Sequence, residues 1–334
     1  MSVPLASLFL FLLLGCACPA LMAQGRFRIV EYNCENLFDT VHDAGKDDVA
    51  FLPSAPRKWN GRKFWQKLNN LSKAIVACGE GMLPDVVALC EIENDSCLHA
   101  LTRRSPLRRA GYDYVMTDSP DRRGIDVAFL YQPGTFRLLS NHSYRIPQQL
   151  NGDTRPTRDI LHVTGMVRTL DTLDVFVCHL PSRLGSERFR LYAANILKEK
   201  ADSVTAVRKH PMIIITGDFN DEPENLSLRN LSKDFIVLTN KVKGKFHPRE
   251  VEGTYYYKGI WHRFDHFLVN KTWYEKRSGF RPADSGQAYI LDFPFLLEED
   301  QTFSRKRPYA FLKGYRYNGG YSDHLPVSID FLYE

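Results

Sequence analysis

Short apolar segments recur along the whole chain and are separated by polar stretches. Each segment is a few residues long and rich in Val, Ile, Phe or Leu. Segments of this length and composition are typical of buried β-strands. We therefore predict strands at 27–32, 85–90, 127–131, 175–178, 212–216, 267–269 and 327–331.

Two longer stretches have the three- and four-residue spacing of amphipathic helices. In 61–78 the apolar positions are Phe64, Leu68, Leu71, Ile75 and Cys78, with Lys63, Lys67 and Lys73 between them; in 186–208 they are Phe189, Ala193, Ile196, Leu197 and Val204. Ser186 is a candidate N-cap for the second helix. Because each helix precedes a predicted strand, the pattern indicates a layered α/β fold. No linker, repeat or low-complexity segment interrupts 25–334, so we expect one domain there.

Polar residues follow several of the predicted strands. They are Asn33 and Glu35 after the first strand, Glu91 after 85–90, His179 after 175–178, and Asp218 and Asn220 after 212–216. Side chains at strand ends are held rigidly and still reach solvent, which is where α/β folds place ligand sites. One such residue would mean little, but several at successive strand ends indicate a functional site.

These residue types suit the hydrolysis of a phosphate ester. Such esters are anionic, so an enzyme must neutralise the charge on the non-bridging phosphate oxygens. Mg²⁺ bound by carboxylate and amide oxygens does this. Glu91 is the first choice of metal ligand, and Asn33, Glu35 and Asp323 are candidates for the remaining ligands.

The attacking water needs a proton acceptor. Asp218 supplies one, and the amide of Asn220 beside it can orient the water. A histidine held and charged by a carboxylate can contact the phosphate or assist proton transfer, and His324 with Asp265 as its partner fits that role. These assignments are predictions from residue type and position.

At this point the sequence resembles the endonuclease/exonuclease/phosphatase superfamily. The ordered motifs that carry the resemblance are Tyr32-Asn33, Leu89-Cys90-Glu91, Cys178-His179-Leu-Pro-Ser182, Gly217-Asp218-Phe-Asn220, Phe264-Asp265-His-Phe-Leu268 and Ser322-Asp323-His324-Leu-Pro326. Together they cover nearly all of 25–334. The Gly-Asp-Phe-Asn motif alone is moderately specific, whereas all six in this order are highly specific.

The resemblance implies a four-layer α/β sandwich, with two packed mixed β-sheets flanked by helices, and a phosphoesterase that depends on Mg²⁺ or Mn²⁺. It supports Glu91 as metal ligand, Asp218 as proton carrier and His324 with Asp265 as the pair facing the phosphate. His179 occupies the position where the deoxyribonuclease branch has a histidine. Glu35 departs from the abasic-site endonuclease branch, which has an aspartate, one methylene shorter, at that position.

The N-terminus predicts export. Residues 4–15 are almost wholly apolar, and no charged side chain precedes Arg26. Small residues follow the apolar run, and cleavage is expected after Ala23. This arrangement is typical of a signal peptide spanning 1–23 and of a periplasmic or secreted protein. One alternative is lipoprotein anchoring at Cys16, because Leu13-Leu14-Gly15-Cys16 resembles a lipobox. Another is a buried N-terminal helix.

Cysteine number and net charge set weaker limits. Cleavage after Ala23 leaves the odd number of cysteines Cys34, Cys78, Cys90, Cys97 and Cys178. We predict neither a disulfide framework nor a catalytic thiol, since several of these lie in apolar segments. The formal charge of +5 is compatible with an anionic partner but is too small to identify one.

Several other polar residues have two interpretations. Arg122-Arg123-Gly124 and Ser182-Arg183 could contact phosphate or form solvated turns. The three tyrosines 255–257 could stack on bases or fill a strand. The sequence favours a solvated acidic turn at 221–224, and a structural role for His266 on the strand face opposite Asp265.

We predict hydrolysis of a phosphodiester, with nucleic acid as the leading substrate because of the mild basic charge and His179. A phospholipid or a small phosphate ester is the enzymatic alternative. An inactive binding module is the third hypothesis, which predicts loss of Glu91, Asp218 or His324, and all three are present. No obligate protein partner is evident, and loops such as 38–60, 141–158 and 241–262 carry the selectivity.

Overall fold

The computed structural model describes residues 25–333 except 148, 151, 276–278, 284 and 285. The signal peptide predicted for 1–23 and the candidate lipidation site at Cys16 lie outside the described residues. Export therefore stays a prediction.

The described residues form two large sheets and several short hairpins. The strands are β1 (Gly25–Leu37), β2 (Val86–Ile92), β3 (Asp113–Met116), β4 (Asp126–Tyr131), β5 (Phe136–Tyr144), β6 (Gln149–Leu150), β7 (Asp153–Thr154), β8 (Ile160–Val167), β9 (Thr172–His179), β10 (Ile213–Asp218), β11 (Phe235–Val237), β12 (Tyr255–Tyr257), β13 (Ile260–His262), β14 (Asp265–Asn270), β15 (Arg281–Pro282), β16 (Tyr289–Ile290), β17 (Leu297–Asp300), β18 (Arg305–Pro308), β19 (Leu312–Lys313), β20 (Arg316–Tyr317) and β21 (Val327–Tyr333). The α-helices are α1 (Gly61–Cys78), α2 (Asp95–His99), α3 (Glu187–Val207), α4 (Leu226–Leu231) and α5 (Lys271–Tyr274). Short 3₁₀ or π turns occupy Val49–Phe51, Ala100–Arg104, Pro106–Ala110 and Pro294–Leu296.

The first sheet has the order β15-β21-β1-β2-β4-β3, and β16 also pairs with β21. Strands β1 and β2 run parallel, so Asn33 lies opposite Cys90, the residue before Glu91. Strand β21 is antiparallel to β1 and begins just beyond Asp323 and His324. The predicted polar strand ends of this sheet therefore lie side by side at one edge.

The second sheet has the order β11-β14-β10-β9-β8-β5. Strands β9 and β10 are parallel, with Asp218 opposite His179, while β14 is antiparallel to β10 and places Asp265 opposite Asp218 on its other side. Three site residues from distant parts of the chain are thereby neighbours in one row. Parallel strands end at the same edge, and the antiparallel β14 begins there.

The two sheets pack face to face, with helices on their outer faces. Apolar residues of both sheets form one buried core with the inner face of α1. A second core lies between the outer face of the second sheet and helices α3 and α4. The predicted four-layer α/β sandwich is confirmed. Helix α1 starts after Asn60, whose side chain accepts a hydrogen bond from Lys63 N, and α3 starts after the predicted N-cap Ser186, which accepts one from Arg188 N.

The cysteines of the described residues are buried and carry free thiols: Cys34, Cys78, Cys90, Cys97 and Cys178. Burial raises the pKa of the Cys34 thiol to about 12, so this sulfur is held in its neutral, unreactive form. Of the helices within the described ranges, none has the length and apolar character needed to cross a bilayer.

A buried charge cluster ties α3 to the second sheet. Asp174 in β9 is fully buried and accepts hydrogen bonds from His162 Nε2 (2.9 Å), Thr164 Oγ1 (2.6 Å) and Arg208 Nε (2.8 Å). Burial alone would raise the pKa of Asp174, but these donors outweigh it and hold the pKa at about 2. The carboxylate is therefore more easily ionised in the folded chain than in the unfolded one.

Asp174→Asn is expected to lower the free energy of unfolding at pH 7 by about 2 kcal/mol, because the pKa of the aspartate falls by roughly two units on folding. A carboxyl group with a lowered folded pKa stabilises the protein fully above about pH 5 and loses that effect as the pH falls towards 2. The difference between wild type and variant, measured by urea unfolding, should therefore shrink at low pH.

Asp202→Asn is the matched control, since Asp202 lies half-exposed on α3 and pairs only at the surface with Lys198. It should change the unfolding free energy by less than about 0.5 kcal/mol. An equal loss for Asp174→Asn at neutral and acidic pH would contradict the assigned pKa shift.

Candidate active site

A cleft of about 850 Å³ opens where the ends of the central strands meet. Six of the sequence-predicted residues line it: Glu91, His179, Asp218, Asn220, Asp323 and His324. Asn33 and Asp265 lie directly behind this lining, each hydrogen-bonded to a residue of it. Residues separated by more than two hundred positions in the chain therefore share one cavity.

Asp218 lies at the centre of the cleft floor. Its Oδ2 accepts a hydrogen bond from Asn33 Nδ2 (3.1 Å), and its Oδ1 accepts one from the backbone N–H of Asn220 (2.8 Å). Burial raises the pKa of Asp218 to about 7, although the positive charge of His324 opposes the shift. A carboxylate with a raised pKa is a stronger base than an exposed one, which suits a group that takes a proton from water.

The turn after β10 fixes Asn220. Gly217 has φ +136°, and a Cβ there would lie 1.8 Å from the backbone oxygen of Cys178, so only glycine fits. Asn220 itself has φ +52° and donates from Nδ2 to the backbone oxygen of Leu180 (3.1 Å). That bond leaves its amide oxygen as the atom that can face a ligand in the cleft.

His324 and Asp265 form a buried pair. Nδ1 of the imidazole lies 2.7 Å from Asp265 Oδ2, and Nε2 lies 3.9 Å from Asp218 Oδ2. Burial alone would lower the pKa of His324, but the charge and hydrogen bond of Asp265, with the charge of Asp218, raise it well above its ordinary value. The cleft thus contains an imidazolium held in one orientation.

His179 has the opposite electrostatic character. Its Nε2 lies 3.4 Å from Asp218 Oδ2, while its Nδ1 is buried without a hydrogen-bond partner among the described residues. Burial and the nearby charges of Arg158 and Arg123 lower the pKa of His179 well below its ordinary value. The site therefore pairs one neutral and one protonated imidazole around the same carboxylate.

Glu91 and Asp323 supply negative charge on the other side of the cleft. Glu91 adopts φ +64°, accepts a hydrogen bond at Oε2 from the backbone N–H of Asn36 (2.8 Å), and has Oε1 3.8 Å from Arg123 Nη2. Burial raises the pKa of Asp323, and the charge of Glu91 adds to that effect against the opposing charge of His324. Two carboxylates that line the same cleft fit a hard cation.

Asn33 and Glu35 are placed differently from the other predicted ligands. The Asn33 amide is engaged at both ends, donating to Asp218 and accepting from the backbone N–H of Glu35 (2.9 Å). Both Glu35 carboxylate oxygens accept backbone N–H groups, from Phe311 (2.6 Å) and Leu312 (2.8 Å). Glu35 does not line the cleft. Its oxygens hold the 311–312 backbone, which differs from the direct ligand role that its position in the sequence predicts.

Asp218, Asp265 and His324 also bring possible ligand atoms within 4.8 Å of one another. A cation bound by this trio would require a neutral imidazole with a free nitrogen. Asp265 engages only Nδ1, so Nε2 of His324 is free, but the raised pKa of His324 favours the protonated ring, which has no lone pair for a metal. Glu91 with Asp323 is therefore the better candidate for metal binding.

Lys67 is a site residue that the sequence analysis missed. It is fully buried in α1, its Nζ lies 4.4 Å from the centre of the Phe311 ring, and its charge acts on Glu35 and Asp323. Burial lowers the pKa of Lys67. The signal was present in the spacing, because Lys67 follows Phe64 by three residues and precedes Leu71 by four, on the buried face.

Asp221 corrects a second expectation. It is fully buried and not part of a solvated turn: its carboxylate accepts from Arg190 Nε (2.8 Å) and Ser227 Oγ (2.7 Å). His266 is buried on the face opposite Asp265, as predicted, and lies 2.7 Å from Thr239 Oγ1 and 2.9 Å from the backbone oxygen of Asp221. Both residues support the loop that carries Asn220.

Aromatic rings line one wall of the cleft. Tyr255 stacks on Phe264, with ring centres 5.4 Å apart, and lies 4.9 Å from His324. Tyr257 also lines the cleft, whereas Tyr256 packs against Trp261. The tyrosine segment thus fills a strand, which is one of its two interpretations, and presents Tyr255 and Tyr257 to the cleft.

Comparisons with known proteins agree with this geometry. A profile of the endonuclease/exonuclease/phosphatase family matches residues 28–332. The chain is 25% identical to nocturnin of Xenopus laevis over 229 residues, which are 65% of this chain and 53% of that protein. It therefore spans about half the length of the curated relatives it matches.

Two solved structures illustrate the range of the fold. A mannosyl-6-phosphatase of Bacteroides thetaiotaomicron superposes with TM-score 0.60 at 17% identity, over 91% of this chain and 99% of that one. TDP2 of D. rerio complexed with a single-strand DNA product superposes with TM-score 0.52 at 15% identity, over 92% and 98%. From the family profile and the shared fold, this chain belongs to the endonuclease/exonuclease/phosphatase family of phosphoesterases.

Proposed function

We propose that this protein is an exported, metal-dependent phosphodiesterase that hydrolyses nucleic acid with an activated water molecule. The observation that carries the proposal is the meeting of three groups in one cleft. These are the amide-supported carboxylate Asp218, the His324–Asp265 pair, and the carboxylates Glu91 and Asp323. A proton acceptor, a cationic donor and a cation site are the parts that phosphoester hydrolysis requires.

Glu91 and Asp323 would hold the cation, with Mg²⁺ or Mn²⁺ as the expected species. Their oxygens are the ligand type that hard divalent ions prefer, and both residues line the cleft. A cation bound there would offset the negative charge on the phosphate oxygens. Asn33 is a further candidate through the second lone pair of its amide oxygen.

The protein groups divide the remaining work. Asp218 accepts the proton of the attacking water, and Asn220 orients that water through its amide oxygen. His324, held charged by Asp265, donates to a phosphate oxygen, and His179 supplies a neutral donor beside it. Because these groups are fixed by hydrogen bonds before substrate arrives, little reorganisation is needed during the reaction.

The rim of the cleft supports a nucleic-acid substrate. Arg123, Arg155 and Arg183 contribute positive charge to its lining, and Tyr255 and Tyr257 contribute aromatic rings. Guanidinium groups bind phosphate through paired N–H donors, and aromatic rings stack on bases. The similar fold of TDP2 with a single-strand DNA product adds support by analogy.

A small phosphate ester is the second candidate. The observation that favours it is the concave shape of the cleft, about 850 Å³, which is the size of a small-molecule site. The similar fold of a mannosyl-6-phosphatase points in the same direction. Plasmid DNA, RNA, sphingomyelin and phosphorylated inositols, each assayed with Mg²⁺, separate the candidates by which one is hydrolysed.

Asp218→Asn should lower kcat on the preferred ester by two or more orders of magnitude, because the amide cannot accept a proton. The amide keeps the shape of the side chain, so circular dichroism should remain that of the wild type. His324→Ala should cause a similar loss. Wild-type rates in either variant would remove Asp218 or His324 from the proposed mechanism.

Chelation should abolish hydrolysis. EDTA removes a cation held by Glu91 and Asp323, and adding Mg²⁺ or Mn²⁺ in excess should restore the rate. The dependence of rate on metal concentration, compared between wild type and Glu91→Gln, locates the ion: the variant should need at least tenfold more metal. Hydrolysis that persists in EDTA would exclude the proposed chemistry.

Asp265→Asn should lower the pKa of His324. Asp265 raises it through charge and a 2.7 Å hydrogen bond, and burial lowers it once that charge is gone. NMR titration of the His324 ring protons in EDTA measures the change without any turnover. Its control is Asp202→Asn on α3, which removes a carboxylate from the surface. An unchanged His324 titration in Asp265→Asn would contradict the pairing.

A further inference from the structure

A smaller cavity continues from the reaction cleft on its basic side. It has a volume of about 270 Å³ and is lined by Asp121, Arg122, Arg123, Thr154, Arg155 and Pro156. Arg123, Arg155 and Pro156 line both cavities, so the two adjoin each other. We call the smaller cavity the arginine annex.

Arg123 stands at the junction of the cleft and the annex. Its nearest carboxylate oxygens are Glu91 Oε1 at 3.8 Å and Asp121 Oδ1 at 4.0 Å, both too distant for a hydrogen bond, and its side chain is 43% exposed. The two carboxylates thus attract the guanidinium into this position, while its N–H groups donate no hydrogen bond to another described residue. Its distance from Glu91 places the annex next to the proposed metal ligands.

The turn that carries Arg123 is rigidly built. Asp121 is buried, accepts the backbone N–H of Arg123 (3.0 Å) and also accepts Arg158 Nη1 (3.2 Å). Arg158 is itself buried and donates to the backbone oxygens of His179 (3.1 Å) and Leu180 (2.6 Å). Lys46 Nζ also donates hydrogen bonds to the backbone oxygens of Ser119 and Asp121. This turn is therefore fixed to the strand end that carries His179 and is not a loose solvated loop.

Arg155 forms the opposite wall of the annex. Its guanidinium lies 5.3 Å from the centre of the Phe189 ring and packs so close to Gly185 that a Cβ there would meet Nη1 at 1.6 Å. Among the described residues, its guanidinium contacts this ring and Gly185, and no ion pair involves it. Arg122 adds a third positive charge, and Asp121, the one carboxylate among the described residues that line the annex, is bound by Arg158. The annex therefore has a net positive charge and open donors.

We propose that the arginine annex is a second anion-binding subsite, which takes a phosphate neighbouring the one that is hydrolysed. The substrate class is a nucleotide or polynucleotide with two phosphates on one sugar unit, and Arg123 and Arg155 provide the contacts. This inference deepens the proposed function and rests on it for the identity of the first phosphate. A substrate with a single phosphate leaves the annex empty and binds more weakly.

Equilibrium binding tests the subsite without any turnover. Thymidine 5′-phosphate and thymidine 3′,5′-bisphosphate are titrated into the whole protein by calorimetry, in EDTA and at low ionic strength. The bisphosphate should bind about tenfold more tightly, since a charge-assisted, bidentate contact is gained. In Arg155→Gln this gain in affinity should fall to about twofold or less. Arg155→Lys keeps the charge but loses the bidentate guanidinium geometry, so its gain should lie between those of the wild type and Arg155→Gln.

Arg137→Gln is the control, because Arg137 lies exposed on β5 and outside both cavities and loses the same charge. It should keep the full gain for the bisphosphate. Equal binding of the two nucleotides by the wild type would overturn the proposal. So would a gain that survives in both Arg155→Gln and Arg123→Gln, since the second phosphate would then bind elsewhere.

A short oligothymidylate distinguishes the two sources of the second phosphate. If the oligothymidylate binds more tightly than the bisphosphate, the result supports a polynucleotide substrate. The slope of log affinity against log salt concentration should then become shallower by about one unit in Arg155→Gln. Affinity equal to that of the bisphosphate supports a small bisphosphorylated ligand in the same subsite. These titrations need no catalysis. A negative result for the annex therefore leaves the interpretation of the Asp218→Asn hydrolysis assays unchanged, and a negative hydrolysis assay leaves the binding result unchanged.

Discussion

The hydrogen bond from Asn33 Nδ2 to Asp218 Oδ2 joins the two sheets at the floor of the cleft. Asn33 belongs to the first sheet and Asp218 to the second, so this contact sets the distance between the side of the site that carries Glu91 and the side that carries the proton acceptor. Asn33 also accepts Ser322 Oγ at its backbone oxygen (2.6 Å), which fixes the segment leading to Asp323 and His324. A site divided between two sheets needs such a bond, because a displacement of one ångström between its halves would separate the reacting groups.

The cleft floor and the part of the first sheet behind it contain more buried acidic groups than their own cations offset. Burial raises the pKa of Asp218 to about 7 and that of Glu35 to about 8, so both carboxyl groups are drawn towards their neutral forms. His324 and Lys67 supply positive charge among them. A divalent cation beside Glu91 would favour the ionised forms further, since opposite charge lowers the pKa of a carboxyl group. Metal binding at Glu91 would therefore favour the ionised form of Asp218, which is the form that the proposed reaction needs.

The sequence predicted which residues meet in the cleft better than it predicted the contacts that support them. Asp218 and His324 were predictable because their motifs stand at the ends of buried strands, and strand order does not affect that pattern. For Lys67 the helical spacing indicated only the buried face, and for Asp221 nothing indicated burial, because the charged partners Glu35 and Arg190 are distant in sequence. Strand β8 was missed for a related reason. Its polar His162 and Thr164 are buried against Asp174, which the alternation of apolar residues does not indicate.

Left-handed backbone conformations concentrate at the site and explain how its side chains are held. Glu35, Asn36 and Asn220 have φ of +52°, +57° and +52°, at a cost of about 1 kcal/mol or more each. Each of these residues directs its backbone N–H onto a site side chain: Glu35 onto Asn33, Asn36 onto Glu91, and Asn220 onto Asp218. The strained conformations therefore turn main-chain donors into fixed supports for Asn33, Glu91 and Asp218. Main-chain supports cannot rotate away as side chains can, so the geometry of the site is set before any cation or substrate binds.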